Sequence, residues 1–335
     1  MATILPVETP SLGDRSYLVH DGEVGFVVDP QRDIDRLLDL ARGAGVRITH
    51  VFETHIHNDY ITGGLALARA TGAAYHVNAD DRVSFEHQAV RDGDVIEVSA
   101  SLLVRVVHTP GHTFTHLSYV LEGPSPAVFS GGSLLFGSTG RPDLLGPEHT
   151  DTLARHQHAS AHRLAAQLSD DTQVMPTHGF GSFCSATQAS ATSSTIGQER
   201  QVNPALTTDE EAYVAQIIAG LDAFPAYYAH MGPANAGGPS GADLRPPSLA
   251  DKDELRRRLE AGEWLVDLRN RTTFAAGHAP GTLNFGIDHP AAAATGTPEE
   301  WTDQPLGSFE RATFADLAQV RHHRSVNILD VRRRH

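Results

Sequence analysis

The stretch Glu53–Tyr60, ETHIHNDY, sets two histidines and an aspartate, His55, His57 and Asp59, within five positions. It follows ITHVF, an apolar and β-branched run that reads as a strand, so the motif stands where a strand ends. Side chains in an extended or turning segment repeat every second residue, and both imidazoles can then reach one ion. Two more histidines occupy comparable places: His112 follows a Pro-Gly turn in TPGHT, and His178 precedes a glycine in MPTHG. Loops fixed by the strands beside them are where metal ligands belong. With 20 histidines in the chain, residue type singles out none of them, and position does.

Outward from this motif the chain alternates strands and helices. SYLVH and EVGFVVDP read as strands, DIDRLLDLARGAG as an amphipathic helix ending at glycines, ITGGLALARATG as a second helix and AAYHVNA as a strand. A β-rich run from DVIEV to AVFSGG follows, then a helix over about Thr150–Leu168 and a strand in TQVMPTHG. The Ser/Thr-rich stretch to STIGQERQVNPAL reads as irregular, and TDEEAYVAQIIAGL as one more helix. Such mixing predicts α/β layering. GPANAGGPSGADLRPPS has the composition of a linker. Beyond it come a helix in LADKDELRRRLEAG, a strand EWLVDLR, the loop GHAPGTLNF, a helix near ATFADLAQV and a strand VNILDVR. The expected organisation is a metal-binding domain over 1–230, a linker over 231–249, and two incomplete modules over 250–323 and 324–335.

At 335 residues and 40% hydrophobic content the chain has enough apolar material for two domains. Lys and Arg number 26 against 41 Asp and Glu, a net charge of −15, which argues against a nucleic-acid partner or an anionic membrane surface. Cys184 is the single cysteine, so no intramolecular disulfide forms. The opening MATILPVETP lacks the basic start and apolar core of a signal peptide, and no apolar run has transmembrane length. A cytoplasmic protein is expected.

THIHNDY, TPGHT, SGGSLLFGSTGRPDLLG and PTHG, in this order, resemble the metallo-β-lactamase fold superfamily, most of all its persulfide dioxygenases and their glyoxalase II relatives, over about residues 2–205. The resemblance implies an αββα sandwich with metal at one edge of the paired sheets. The superfamily pattern is HxHxDH, whose last histidine serves a second metal site. Tyr60 stands there instead, which argues for one ion. Relatives carry an aspartate where Gly132 stands, and that carboxylate bridges two metals in the hydrolases or completes a two-histidine, one-carboxylate iron site in the dioxygenases. The ligand set expected here is His55, His57 and His112, with Asp59 and His178 behind them or as substitute ligands. One Fe(II) is the expected ion, with Zn(II) as the alternative.

Three other residues have two readings each. Tyr60 hydrogen-bonds a bound ligand or packs; Arg141 meets an anionic substrate or pairs with Asp143 to order a turn. Cys184 is a thiol active near the metal or an inert buried one. The segment WLVDLRNRTTFAAGHAPGTLNF, with Asp267, Arg269, His278, Gly281 and Asn284, resembles the front of a rhodanese domain, and VNILDVRR the opening strand of another. Rhodanese chemistry needs a cysteine thiolate, and none follows Cys184. The expected activity is oxidation of glutathione persulfide, or a similar small persulfide, to sulfite. The alternatives are a glyoxalase II-like thioester hydrolase and a weakened metal- or sulfur-binding scaffold. A homodimer is expected from the relatives.

Overall fold

The computed structural model describes residues 2–185, 191–245, 248, 250–267, 269 and 271–284. The chain divides into two units, Met1–Arg245 and Pro246–His335.

In the first unit, β1 (Thr3–Thr9), β2 (Asp14–His20), β3 (Val24–Val28), β4 (Arg47–Phe52), β5 (Ala74–Asn78) and β6 (Gln88–Val90) form one sheet in sequential order. Its first three strands are antiparallel and β3 to β6 run parallel. The parallel crossovers carry α1 (Asp35–Ala44) and α2 (Gly64–Thr71), each ending at a left-handed glycine, Gly45 or Gly72. The second sheet has the order β12-β11-β10-β9-β8-β7, from β7 (Val95–Ser99), β8 (Leu102–His108), β9 (Leu117–Glu122), β10 (Ala127–Gly131), β11 (Gln173–Pro176) and β12 (Ser194–Thr195). Only β10 and β11 pair in parallel within it, joined through α3 (Thr150–Gln167).

The period-2 rule shows why the two sheets stack. In β2, Tyr17 and Val19 face one apolar cluster and Leu18 faces another; in β3, Phe26 and Val28 separate from Val27 in the same way. In β10, Ala127 and Phe129 separate from Val128. Tyr17, Phe26, Phe52, Val104, Tyr119 and Phe129 meet between the sheets, with the Phe26 and Phe129 rings edge-to-face at 5.8 Å. Leu37, Leu65 and Leu67 pack the outer face of the first sheet under α1 and α2, while Leu164 and Ile217 belong to the cluster that covers the second. Burial of each large side chain contributes roughly 1.5–3 kcal/mol. The layering is αββα. Among the described residues, no helix is long and apolar enough to cross a membrane.

Two expectations change. The stretch read as irregular before residue 205 contains α4 (Ile196–Val202) and α5 (Pro204–Thr207). Thr195 and Gln198 close a capping box on α4, and Asn203 caps α5 ahead of Pro204. After α6 (Glu210–Ala219) the expected linker begins as helix: α7 spans Tyr228–Ala236 despite Pro233, and its Asn235 is buried against the site loop described below. Buried hydrogen bonds there outweigh the Gly/Pro composition that suggested a linker.

The second unit contains α8 (Lys252–Glu260), β13 (Val266–Asp267), α9 (Arg271–Ala276) and β14 (Leu283–Asn284), with β13 and β14 parallel. Of the expected strand EWLVDLR, Val266–Asp267 are strand among the described residues. Asp267 pairs with Arg269 at 2.6 Å, Arg269 also donates to the Gly277 carbonyl, and Asn284 donates to the carbonyls of Asp267 and Arg269. His278 Nδ1 bonds the Phe274 carbonyl and Gly281 takes φ +85°. The motif residues that carried the rhodanese resemblance thus hold this segment together. The helix expected near ATFADLAQV, the strand VNILDVR and the module over 324–335 lie outside the described residues.

Candidate metal centre

Every loop that could carry a ligand leaves the same edge of the sandwich. Asp29 follows β3, residues 53–60 follow β4, His112 lies between β8 and β9, Gly132 follows β10 and His178 follows β11. Four of these positions are at carboxyl ends of parallel strands, the usual place for a site in α/β sheets.

His55, His57, His112 and His178 are all fully buried and their rings touch. Ring centroids of His55 and His57 are 4.1 Å apart, of His55 and His112 4.8 Å, and of His112 and His178 5.2 Å. Each ring is held by one nitrogen. His55 Nδ1–H donates to Thr54 Oγ1 at 2.9 Å, and that hydroxyl donates to Asp29 Oδ2 at 2.7 Å. His112 Nδ1–H donates to the Arg141 carbonyl and His178 Nδ1–H to Asp14 Oδ1, both at 2.8 Å. His57 turns Nε2 inward, 3.0 Å from Tyr60 Oη, 3.2 Å from Glu53 Oε2 and 3.4 Å from Asp29 Oδ1. These tautomers follow from the network.

The opposite nitrogens face one another. His55 Nε2 and His178 Nε2 are 3.4 Å apart; His57 Nδ1 and His112 Nε2 have no hydrogen-bond partner, and neither Asp59 oxygen accepts a bond. Unpaired polar atoms in a dry interior are costly, and a cation would satisfy this set. Donor atoms of His55, His57 and His178 lie within 4.8 Å of one another, as do those of Asp14, Asp59 and His178. Imidazoles anchored behind by carboxylate, hydroxyl or carbonyl are oriented as metal ligands are. The residues fit a metal ion.

Charge supports the fit. Burial and the His57 charge hold His55 well below the ordinary histidine range. Burial also disfavours a charged His57, but Asp29 and Glu53 outweigh it and raise His57 well above that range. Asp29, in turn, is opposed by burial yet held at about 2 by His57, Thr177 and the Thr54 N–H. Glu53 is raised, by burial first. Asp29 is therefore the ionised partner of His57. It is also the one non-glycine with positive φ among the described residues, +48°. Asp14 and Asp59 are pushed up to about 7 by burial, with the Asp14 charge adding to the rise at Asp59.

His55, His57, His112, His178 and Asp59 come together. Of the two readings of Tyr60, the contacts present are packing ones: its ring stacks on His57 at 4.3 Å, its hydroxyl meets His57 Nε2, and burial raises the phenol well above the ordinary tyrosine range. Of the two readings of Arg141, the contacts present are those of the turn-ordering pair with Asp143. Its guanidinium is buried, paired to both oxygens of Asp143 at 2.6 and 2.8 Å, and bonded to the carbonyls of Phe183 and Asp222. With these donors committed to the loop, it orders the turn that supplies the carbonyl to His112.

Gly132 is closely packed. A Cβ there would overlap the His112 ring, 2.7 Å from its Cγ. His116, missed in the sequence although TPGHTFTH contains it, accepts from the Gly132 N–H at 3.0 Å and stacks on His55 at 5.1 Å. Its Nδ1–H donates to Thr109 Oγ1, so both nitrogens are committed. Asp14, Glu53 and Asn235 carried no local signal; Asp29 was marked only by its place before a proline at a strand end.

A family profile described as Metallo-beta-lactamase superfamily matches residues 14–178. The hydroxyacylglutathione hydrolase of Polaromonas sp. is 33% identical over 169 residues, 49% of this chain and 62% of that protein. The hydroxyacylglutathione hydrolase of Pseudomonas entomophila is 34% identical over 209 residues, 55% of this chain and 77% of that protein. The chain thus spans less than two thirds of the first of these and more of the second. Among solved structures, a metallo-beta-lactamase from Staphylococcus aureus is similar at TM-score 0.71 and 27% identity, over 86% of this chain and 85% of that one. ETHE1 from Myxococcus xanthus is similar at TM-score 0.60 and 28% identity, over 70% of this chain and 98% of that one.

Proposed function

Because the chain belongs to the metallo-β-lactamase superfamily, we propose that its centre holds one divalent ion, ferrous iron or, as the alternative, zinc, and acts on a sulfur-linked glutathione derivative. The reaction proposed is oxidation of glutathione persulfide, or a similar small persulfide, to sulfite, with dioxygen and water consumed and the thiol released. One observation carries the single-ion reading. Four imidazole faces converge, while Tyr60, at the place of a second-site ligand, turns its hydroxyl onto His57.

His55, His57 and His112 would hold the ion, with His178, whose donor atom lies within 4.8 Å of those of His55 and His57, and Asp59, 3.8 Å from His57 Nδ1, beside them. A bound ferrous ion supplies the redox chemistry with dioxygen, and a bound zinc ion Lewis acidity. The chain's own groups do the rest. Asp14, Arg141 and the Thr54–Asp29 pair keep the imidazoles oriented, and the buried surroundings exclude bulk water. Asp59, whose oxygens accept no bond, can take the proton of an incoming thiol or persulfide. The rhodanese-like segment, without a cysteine, is proposed to perform no sulfur transfer.

A second reading is thioester hydrolysis, favoured by the hydroxyacylglutathione hydrolases among the relatives. Anaerobic purification, metal analysis, oxygen uptake with glutathione persulfide and hydrolysis of S-lactoylglutathione separate the two. Iron with oxygen uptake supports the first, and zinc with hydrolysis the second. Less than one metal per ten chains after reconstitution would sink both.

A further inference from the structure

We infer that Cys184 Sγ is a ligand of this centre, supplying as thiolate, beside His112 and His178, the negative charge that position 132 does not. The inference rests on the metal reading above. One donor atom from each of His112, His178 and Cys184 lies within 4.8 Å of the other two. Ligands of a tetrahedral zinc ion are about 3.3–3.8 Å apart, given metal–ligand lengths of about 2.0–2.3 Å. The three side chains therefore need to close by no more than about 1–1.5 Å, which side-chain rotation can provide.

The local chain is arranged for this. Cys184 is fully buried, and its loop turns at Gly179 and Gly181, whose φ values are +115° and +105°. The Arg141 N–H donates to the Cys184 carbonyl at 2.9 Å, while the Arg141 carbonyl accepts from His112 Nδ1 at 2.8 Å. One peptide segment thus fixes the cysteine and the histidine together. The second, independent sign of a ligand is His112 Nε2, buried with no hydrogen-bond partner. The sulfur's contact with Tyr228 Oη is long, 3.9 Å, and the Asp59 carboxyl lies beside the same thiol. Thiolate beside imidazole is a donor set suited to zinc and iron. On binding, the S–H bond breaks, a sulfur–metal bond forms and the proton passes to solvent.

The test is reconstitution of the full chain, without oxygen, with Co(II) as spectroscopic probe, alongside X-ray absorption of the metal bound on purification. The expected results are a near-ultraviolet sulfur-to-cobalt charge-transfer band, lost in Cys184→Ser and Cys184→Ala, and a sulfur scatterer at about 2.3 Å. The Co(II) Kd should rise at least tenfold in both variants while the far-ultraviolet CD of the metal-free chain stays unchanged. One metal per chain with no sulfur scatterer, and a Kd unmoved in Cys184→Ser, would overturn the inference and leave the metal reading standing. No metal bound at all would overturn both. If the variants do not fold, the scatterer in the unaltered chain still decides.

Discussion

Asn235 Nδ2 donates to the carbonyl of His57 at 2.8 Å, across 178 positions of sequence. The same amide donates to the Tyr60 carbonyl at 2.8 Å, and its Oδ1 accepts from the Thr62 N–H at 3.0 Å. Helix α7 therefore clamps the loop that carries His57 and Asp59. Asn235→Ala leaves three buried backbone groups unpaired, at roughly 1–3 kcal/mol each before relaxation. Asn235→Asp keeps the acceptor but sets a carboxylate oxygen against two carbonyls. Both should weaken metal binding at least tenfold, as well as lowering Tm. A variant that unfolds earlier but binds metal with unchanged Kd would reduce Asn235 to packing.

Position 132 should not tolerate a side chain. In Gly132→Ala the new Cβ overlaps a His112 ring that is held from behind by the Arg141 carbonyl. Overpacking of this kind costs roughly 1–3 kcal/mol. Gly132→Asp would offer a carboxylate only by displacing His112, so iron retention should fall. A rise in retained iron would show that the ring gives way and that a carboxylate is what the site lacks.

Arg141→Lys separates a loop anchor from a substrate anchor. A lysine cannot reproduce the fork on Asp143 together with two carbonyl contacts. Thermal unfolding should shift down by roughly 2–3 kcal/mol, and metal affinity should fall because His112 loses its rigid support. A raised KM with unchanged Tm and metal content would instead return Arg141 to the substrate.

The Asp59 carboxyl stands at about 7 in the fold against 3.8 in the unfolded chain. A carboxyl raised in this way stabilises the fold fully below the unfolded value, and that contribution is lost as pH rises through about 7. Compared with wild type, metal-free Asp59→Asn should gain stability between pH 5 and pH 8, by about 5–10 °C in Tm. With metal bound the order should reverse, because the cation uses the ionised form. Parallel Tm profiles across this range, with and without EDTA, would contradict the assignment.

His55, His57 and Asp59 were legible because their spacing and their place after a strand are local properties. His112 and His178 were legible for the same reason, each beside a turn glycine at a strand end. The alternation of Tyr17, Leu18 and Val19, or of Phe26, Val27 and Val28, likewise states two buried faces directly. The helices α4 and α5 are signalled by Thr195-x-x-Gln198 and Asn203-Pro204, whose capping chemistry outweighs the Ser/Thr composition around it.

What the sequence determined by itself is an α/β layering, which follows from periodicity, and the grouping of His55, His57, Asp59, His112 and His178 at strand ends, which follows from spacing; the αββα sandwich entered with the family resemblance. Tertiary structure alone decided which nitrogen of each histidine is free, that Tyr60 serves His57, that Arg141 is committed to its loop, and that Asn235 and Cys184 adjoin the centre. Those facts depend on contacts between residues as far apart as Asn235 and His57. Such contacts arise from how the two sheets and their helices pack, and a linear pattern carries no record of which distant groups packing brings into reach.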